Sequence, residues 1–421
     1  MLLGFFILGT CLLHLGYCEA SPETTTTEDI DVYYPNVNWS NIFDWKILKE
    51  YSPTYKNLLV SPISLRIILA LLYQGSSGIT KREFESVMHF TDQQSVREEF
   101  RDIINKLQVA ESPEYTLNLG TRVFLDIPVA PQQKFASITK DFFKTDLVLT
   151  NFTDKKGSAD MINSWAEKLT NGRIHKLIDS ADLADALMVI ANAVYFKGTW
   201  KYQFPNQTVD KFYVPDGNNF FSIQARFMAV EDKFYFHESP LLDAKILRLP
   251  YKGGRYSMFI VLPNSKGGLP SLIKQININN LKSLLYLMDQ RLINVKIPKF
   301  RFDFQARFSR TLQEFGLLQM FQNTASFPGI ARGDSSILRK LVVSDIVQKS
   351  GIEVNEYGSV VYAASAITIG NKFGEQTQTF HATHPFMFYI EEELSGTVLF
   401  VGKVENPLES DPQPLAPKPE S

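Results

Sequence analysis

The chain has 421 residues, 44% of them hydrophobic and 21% charged, so it is long enough to bury a large core as one big domain or two ordinary ones. Lys and Arg total 43 against 45 Asp and Glu, and a formal charge of −2 supplies no basic field, which argues against nucleic acid as the main partner. The two cysteines, Cys11 and Cys18, both lie in or at the edge of the first apolar run.

That run, MLLGFFILGTCLLHLGYCEA, has signal-peptide length and ends in small residues, although the usual basic start is missing. A cleaved secretory signal over 1–20 is expected, because a membrane anchor normally needs about 20 apolar residues. The mature chain then has no cysteine for a disulfide or a thiolate metal site. Sequons at Asn38-Trp-Ser40, Asn151-Phe-Thr153 and Asn206-Gln-Thr208 fit a secreted chain, each offering an asparagine to a sugar. Residues 21–41, with TTTTEDIDVYYPN inside them, hold too little apolar matter to join a core and read as a disordered acidic extension.

From there to residue 407 no low-complexity linker or repeat interrupts the chain, and a single domain over 42–407 is expected. SPISLRIILALLYQG predicts a buried helix, with Ser61 as cap, Pro62 at the first helical position and Gly75 as the stop. Arg97, Arg101 and Lys106 alternate with Glu98, Glu99 and Asp102, which reads as a solvated helix face rather than a polyanion site. ADMINSWAEKLTNGRI spaces Met161, Trp165 and Leu169 helically before the stop Asn171-Gly172. Strands follow at ALMVIANAVYF, AKILRLPY, YSMFIVLP, INVKIPKFRFDF and TVLFVGKVENP, all rich in β-branched and aromatic residues. Helices mostly precede strands, which predicts an α+β fold with large antiparallel or mixed sheets. The tail 408–421, LESDPQPLAPKPES, is proline-rich and reads as disordered.

No nucleophile elbow, zinc-binding helix motif, dinucleotide fingerprint or phosphate loop occurs, so neither an enzyme nor a cofactor is indicated. His381 and His384 are close together, but Pro385-Phe386 directly after them marks the start of a strand, and no metal is expected. The most unusual stretch is VNEYGSVVYAASAITIGNKF. From Gly358 to Asn371 it carries no charge, only small and β-forming residues, and it closes with Lys372. An ordinary flexible loop has more Gly, Pro and charge, and the residues here favour a strand.

Several motifs, in order along nearly the whole domain, resemble the serpin family. They are Asn57-Leu-Leu-Val-Ser61-Pro62-Ile-Ser64, the run Gly75 to Thr80, Trp165 with Thr170-Asn171-Gly172-Arg173-Ile174, and Asn192-Ala-Val-Tyr-Phe196-Lys197-Gly198-Thr-Trp200. Leu249-Pro250-Tyr251, Glu353-Val-Asn-Glu356-x-Gly358, His384-Pro385-Phe386 and Phe400-x-Gly402 follow. The resemblance implies three β-sheets with eight to nine helices and an exposed reactive-centre loop. It also implies a secreted, monomeric suicide substrate whose partner is a serine protease held as a covalent acyl complex. Counting from Glu356 as family spacing implies, the scissile bond falls at Lys372-Phe373, and lysine suits a trypsin-like pocket. Phe373 as bait for a chymotrypsin-like enzyme is the alternative.

The resemblance further assigns the loop hinge to Glu356, Gly358, Ser359, Val361, Ala363 and Ala364, a hinge salt bridge to Lys299 and Glu356, and the sheet-opening region to Asn192, Lys197, Gly198 and Trp200. Two departures stand out: Tyr357 where inhibitory members usually carry Glu, and Val360-Val361-Tyr362 in place of an alanine-rich run. They leave open a non-inhibitory serpin acting as carrier, chaperone or storage protein.

Overall fold

A computed structural model of the chain describes residues 31, 33, 35, 42–108, 114–184, 186–332, 334, 341–358 and 377–410. The chain divides into two units, 1–33 and 34–421. In the first only residues 31 and 33 are described, Tyr33 being buried; the helices and strands belong to the second. The expected signal 1–20, the sequon at Asn38 and the segment 359–376, with Ser359, Val361, Ala363, Ala364, Lys372 and Phe373, lie outside the described residues.

Among the described residues there are nine α-helices and three sheets, of nine, five and two strands. The helix Pro62–Gly75 has the bounds its sequence predicts, and all 14 of its residues are buried, as near-continuous apolar character requires. The helix Lys155–Leu169 starts at Asp154, whose carboxylate accepts the Gly157 N–H, and gives way to left-handed Asn171 and Gly172. Its buried face differs from the expected spacing. Ala159, Ile162 and Ala166 point into the core, Trp165 and Leu169 pack at the margin, and Met161 is exposed.

The five-stranded sheet runs in the order Phe300–Arg307, Ile346–Val354, Met188–Gly198, Tyr115–Asp126, Asp146–Thr150. Helix Lys155–Leu169 and the chain after it cover one face, packing on Val189, Ala191, Ala193 and Val347. The opposite face meets the start of helix Pro62–Gly75. Burial on both faces explains why ALMVIANAVYF reads as continuous rather than alternating hydrophobicity.

The nine-stranded sheet has the path Leu58–Val60, Thr397–Val404, Phe386–Glu392, Tyr256–Pro263, Ala244–Pro250, Asn219–Ser239, Asp289–Pro298, Gln378–His381, with Asn206–Asp216 also paired to Asn219–Ser239. INVKIPKFRFDF is therefore not one strand. It breaks at Lys299, and its halves join different sheets. Of the tail 408–421, expected to be disordered, residues 409 and 410 are bonded to the domain, Ser410 O accepting the Asp303 N–H and Asn57 Nδ2 donating to Glu409 O, and 411–421 lie outside the described residues.

Candidate functional site

The central strands Met188–Gly198 and Ile346–Val354 are parallel neighbours, in register from Ile346 opposite Ile190 to Gly351 opposite Tyr195. Pairing stops there, although each strand continues for three more residues. The result is a fork. A cavity of about 30 Å³, roughly one water, lies in it between Tyr195, Phe196, Gly351 and Ile352. Arg173, on the chain that leaves helix Lys155–Leu169, reaches across the fork. Its guanidinium lies 5.9 Å from the Tyr195 ring centre on one strand and 3.4 Å from Glu353 Oε2 on the other. Arg301, on the neighbouring strand, approaches the same carboxylate oxygen at 3.9 Å.

Beyond the fork the chain closes a tight turn. Asn355 and Gly358 exchange both backbone hydrogen bonds, at 3.1 and 3.2 Å, and Asn355 Oδ1 accepts the Tyr357 N–H at 3.1 Å. Gly358 has φ 126°, and a Cβ there would sit 2.2 Å from the Gly198 carbonyl oxygen. Only glycine fits. Thr199 pairs with it at the end of the Met188–Gly198 strand.

Trp200 holds this turn. It is buried, stacks on Tyr251 with ring centres 4.5 Å apart, and donates its indole N–H to Asn355 O at 2.9 Å and its backbone N–H to Tyr357 O at 3.0 Å. Phe204 N–H adds a bond to Glu356 O at 3.1 Å. Lys197, half-buried, sits opposite Thr116 in the sheet, and a side chain on Gly198 would meet the Tyr251 ring at 2.6 Å.

Lys299 Nζ lies 2.5 Å from Glu356 Oε2, and Gln207 links the pair, donating to Glu356 at 2.9 Å and accepting from Lys299 at 2.8 Å. Partial burial alone would raise the Glu356 carboxyl. The Lys299 and Gln207 hydrogen bonds and the ammonium charge outweigh it and hold the carboxyl below its ordinary value. Lys299 is also the residue at which the two strands of INVKIPKFRFDF part, so the sheet break places the ammonium at the turn.

Asn192 belongs to a polar cluster inside the same strand pair, and its centre, Gln348, has no counterpart in the sequence reading. Gln348 accepts the Ser61 N–H at 2.7 Å and donates to Ser61 O at 3.0 Å and to Asn192 Oδ1 at 3.1 Å. Asn192 in turn donates to Gly120 O and Thr121 Oγ1. This buried network ties the strand pair to the first turn of helix Pro62–Gly75. One signal for it was present: Ile346, Gln348 and Ser350 occupy one alternating, buried face, and a glutamine there needs partners.

The family model described as Serpin (serine protease inhibitor) matches residues 39–407. The chain belongs to the serpin family. Serine protease inhibitor 2 of Anopheles gambiae is 35% identical over 87% of this chain and 91% of its own length. Among solved structures, Serpin48 of the insect Tenebrio molitor superposes with TM-score 0.77 at 30% identity, over 87% of this chain and 96% of its own. Human thyroxine-binding globulin, solved in complex with thyroxine, superposes with TM-score 0.80 at 23% identity over 88% and 98%, which shows the shared fold. The nine helices and three sheets among the described residues are those of a serpin.

The remaining sequence-derived residues lie apart from the fork. Asn151 and Asn206 are exposed, the former accepting the Thr153 N–H through its side chain. His384 bonds the Pro263 carbonyl at 2.7 Å and His381 bonds Asn294 Oδ1 at 2.9 Å. Burial, first among the causes, lowers both imidazoles. Arg97 and Arg101 lie over the Phe142 ring.

Proposed function

We propose that this serpin is a secreted suicide-substrate inhibitor of trypsin-like serine proteases. Lys372-Phe373 is the bait, the lysine filling an acidic specificity pocket. After cleavage, residues from Ser359 to Asn371 enter the five-stranded sheet at the fork and carry the acyl-linked protease with them. The observation that carries this reading is the unpaired end of the two parallel strands, which stop pairing at Gly351 and Tyr195 beside the turn ending at Gly358, the last residue before the uncharged segment.

A strand entering between two parallel neighbours can run antiparallel to both, and antiparallel ladders are slightly more stable per residue. About ten residues pairing on two sides, at roughly 1 kcal/mol per bond, make the change hard to reverse. Period two puts Ser359, Val361, Ala363 and Ser365 on the inward face and leaves the Tyr362 ring outside. No helix among the described residues is long and apolar enough to cross a membrane. The apolar start of the chain and its three sequons favour export.

Incubation with trypsin followed by a denaturing gel tests the reading. A stable high-mass complex is expected, and Val361→Arg, which puts a charge on the inward face, should turn complex into clean cleavage. A complex with chymotrypsin in place of trypsin moves the bait to Phe373. The second reading, a non-inhibitory carrier, chaperone or storage protein, draws on Tyr357 and Val360-Val361-Tyr362, whose bulk and β-branching slow insertion. Clean cleavage of the unaltered chain selects it.

A further inference from the structure

The strand Asn206–Asp216 is bonded on one side only. It pairs along its whole length with Asn219–Ser239, from Asn206 opposite Ala229 to Asp216 opposite Asn219, and among the described residues no strand joins its other side. That outward side is closed at its far end, where the Tyr213 N–H donates to Thr383 O at 2.9 Å and the Lys211 N–H to the Asp210 carboxylate at 2.6 Å. Backbone groups alternate in direction along an antiparallel strand, so Gln207 and Val209 turn the same way as Lys211 and Tyr213. Among the described residues nothing accepts from their N–H groups. Every residue from Pro205 to Lys211 is exposed, the apolar Val209 by 67%.

An open edge of strand-forming residues is a template for another strand, and natural chains blunt such edges with proline, charge, a bulge or a cover. Here Pro205 stops the edge at one end, and Asp210 and Thr383 close the other. The stretch left open between them holds the sequon Asn206-Gln-Thr208. The other described sequon has a similar place: Asn151 directly follows Asp146–Thr150, the edge strand of the five-stranded sheet.

We propose that a glycan on Asn206 shields this edge, and that without it two copies of the chain pair through it as an antiparallel two-fold dimer. The register follows from which groups are open. With the axis at Thr208, Gln207 faces Val209 of the second copy and exchanges both backbone hydrogen bonds with it, twice over by symmetry. Thr208 then faces Thr208, a favourable cross-strand pair, and Asp210 faces Asn206, so no like charges meet. Pro205, opposite Lys211, ends the ladder. An axis at Val209 calls instead on the Lys211 N–H, which Asp210 already holds. A second copy is the fitting occupant because the open stretch is complementary to itself. A sugar on Asn206 stands inside the shared ladder, and its bulk keeps the second strand away. The shield rests on the export reading, since sequons are filled on the secretory route; the pairing rests on the edge alone.

Light scattering during size exclusion of the full chain, secreted from eukaryotic cells and run over a range of concentrations, tests it. The glycosylated parent should stay monomeric. Asn206→Gln should pass from monomer to doubled mass as concentration rises. Thr208→Ala, which abolishes the same sequon from its other end, should do the same, and Thr208→Ser, which keeps it, should remain a monomer. Adding Val209→Pro to Asn206→Gln removes an outward N–H without touching the bonded side and should restore the monomer, whereas copies joined by loop insertion would stay joined. Monomer at every concentration for both sequon variants, a dimeric parent with its sugar in place, or a dimer that persists with Val209→Pro would each overturn the proposal. The two Thr208 variants decide it even where the proline variant does not fold. Peptide mapping separates the shield from the export reading: sugar at Asn151 and none at Asn206 overturns the shield alone, and sugar at neither overturns export as well.

Discussion

In the nine-stranded sheet the strands Ala244–Pro250, Tyr256–Pro263, Phe386–Glu392 and Thr397–Val404 are neighbours in a continuous antiparallel ladder, and every residue except Lys245 is buried. The central pair of the five-stranded sheet is joined differently. Past its six paired positions it is held by side chains, Arg173 across Tyr195 and Glu353, Trp200 on the turn and Lys299 on Glu356, together with the backbone bonds of Trp200 and Phe204 to the turn. A fully buried ladder cannot part without exposing apolar surface at about 25 cal/mol per Å². A seam of polar contacts can part more readily, because a new strand supplies N–H and C=O groups to replace what is lost. The sheet proposed to open is thus the one closed by replaceable bonds.

The largest effect in this comparison should come from Gly358→Val. Its φ of 126° and the 2.2 Å approach of a Cβ to Gly198 O force the turn off Trp200. A loss of about 3 kcal/mol in denaturant unfolding is expected. A variant as stable as the parent means the turn does not depend on that glycine. Next, Gln348→Leu strands the Ser61 N–H and the Asn192 amide, at about 1–3 kcal/mol for each group left without a partner. It should lower the unfolding midpoint and hasten polymer formation on mild heating, read by native gel.

The closed sheet offers the opposite sign. Glu391 is fully buried, and burial, then the neighbouring Glu393 and Glu392, raise its carboxyl well above the ordinary value despite Arg248. The folded chain therefore holds that proton more tightly than the unfolded one. Stability is full below about pH 4.3, the unfolded value, and falls as pH climbs toward the folded value. Glu391→Gln should match the parent near pH 4 and exceed it near pH 8. Equal stability at both ends breaks the assignment.

Arg173→Ala should change equilibrium stability little, at most about 1 kcal/mol, because the Arg173 and Glu353 side chains are each about 30% exposed. Uptake of a synthetic peptide with the sequence of residues 359–371 should nevertheless accelerate. Unchanged uptake removes Arg173 from the seam. The smallest effect concerns Glu356. Its depressed carboxyl means that the Lys299 pair contributes fully above about pH 4.3 and is lost only as pH falls through the lower folded value. Peptide uptake should quicken only at that acid extreme, and less in Lys299→Met.

Much of this was legible in the sequence. Ser61-Pro62 and Gly75 mark both ends of a buried helix, and period and composition mark the strands. The break at Lys299 was written as a phase slip: Ile293, Val295 and Ile297 are buried at odd positions, and Phe300, Phe302 and Phe304 at even ones. Read only as β-forming residues, the run looks continuous. Helical spacing of Met161, Trp165 and Leu169 chose the wrong face because the sheet accepts small Ala159 and Ala166 closely and leaves Met161 outside. At the site, resemblance supplied Glu356, Lys299 and Trp200. Gln348 and Arg173's partner Glu353 depend on which strands become neighbours, which no local pattern states.

The pairing of Leu58–Val60 with Thr397–Val404 sets Leu59 opposite Gly402. Asn57 beside it accepts the Glu405 and Asn406 N–H groups. During synthesis at about 5–20 residues per second, the earlier partner is made some tens of seconds before the later one. The apolar segment 58–60 therefore spends that interval without its strand, and closing the sheet is among the last events of biogenesis. A chaperone that shields this segment until translation ends would govern the yield of native protein more than one acting on the finished chain.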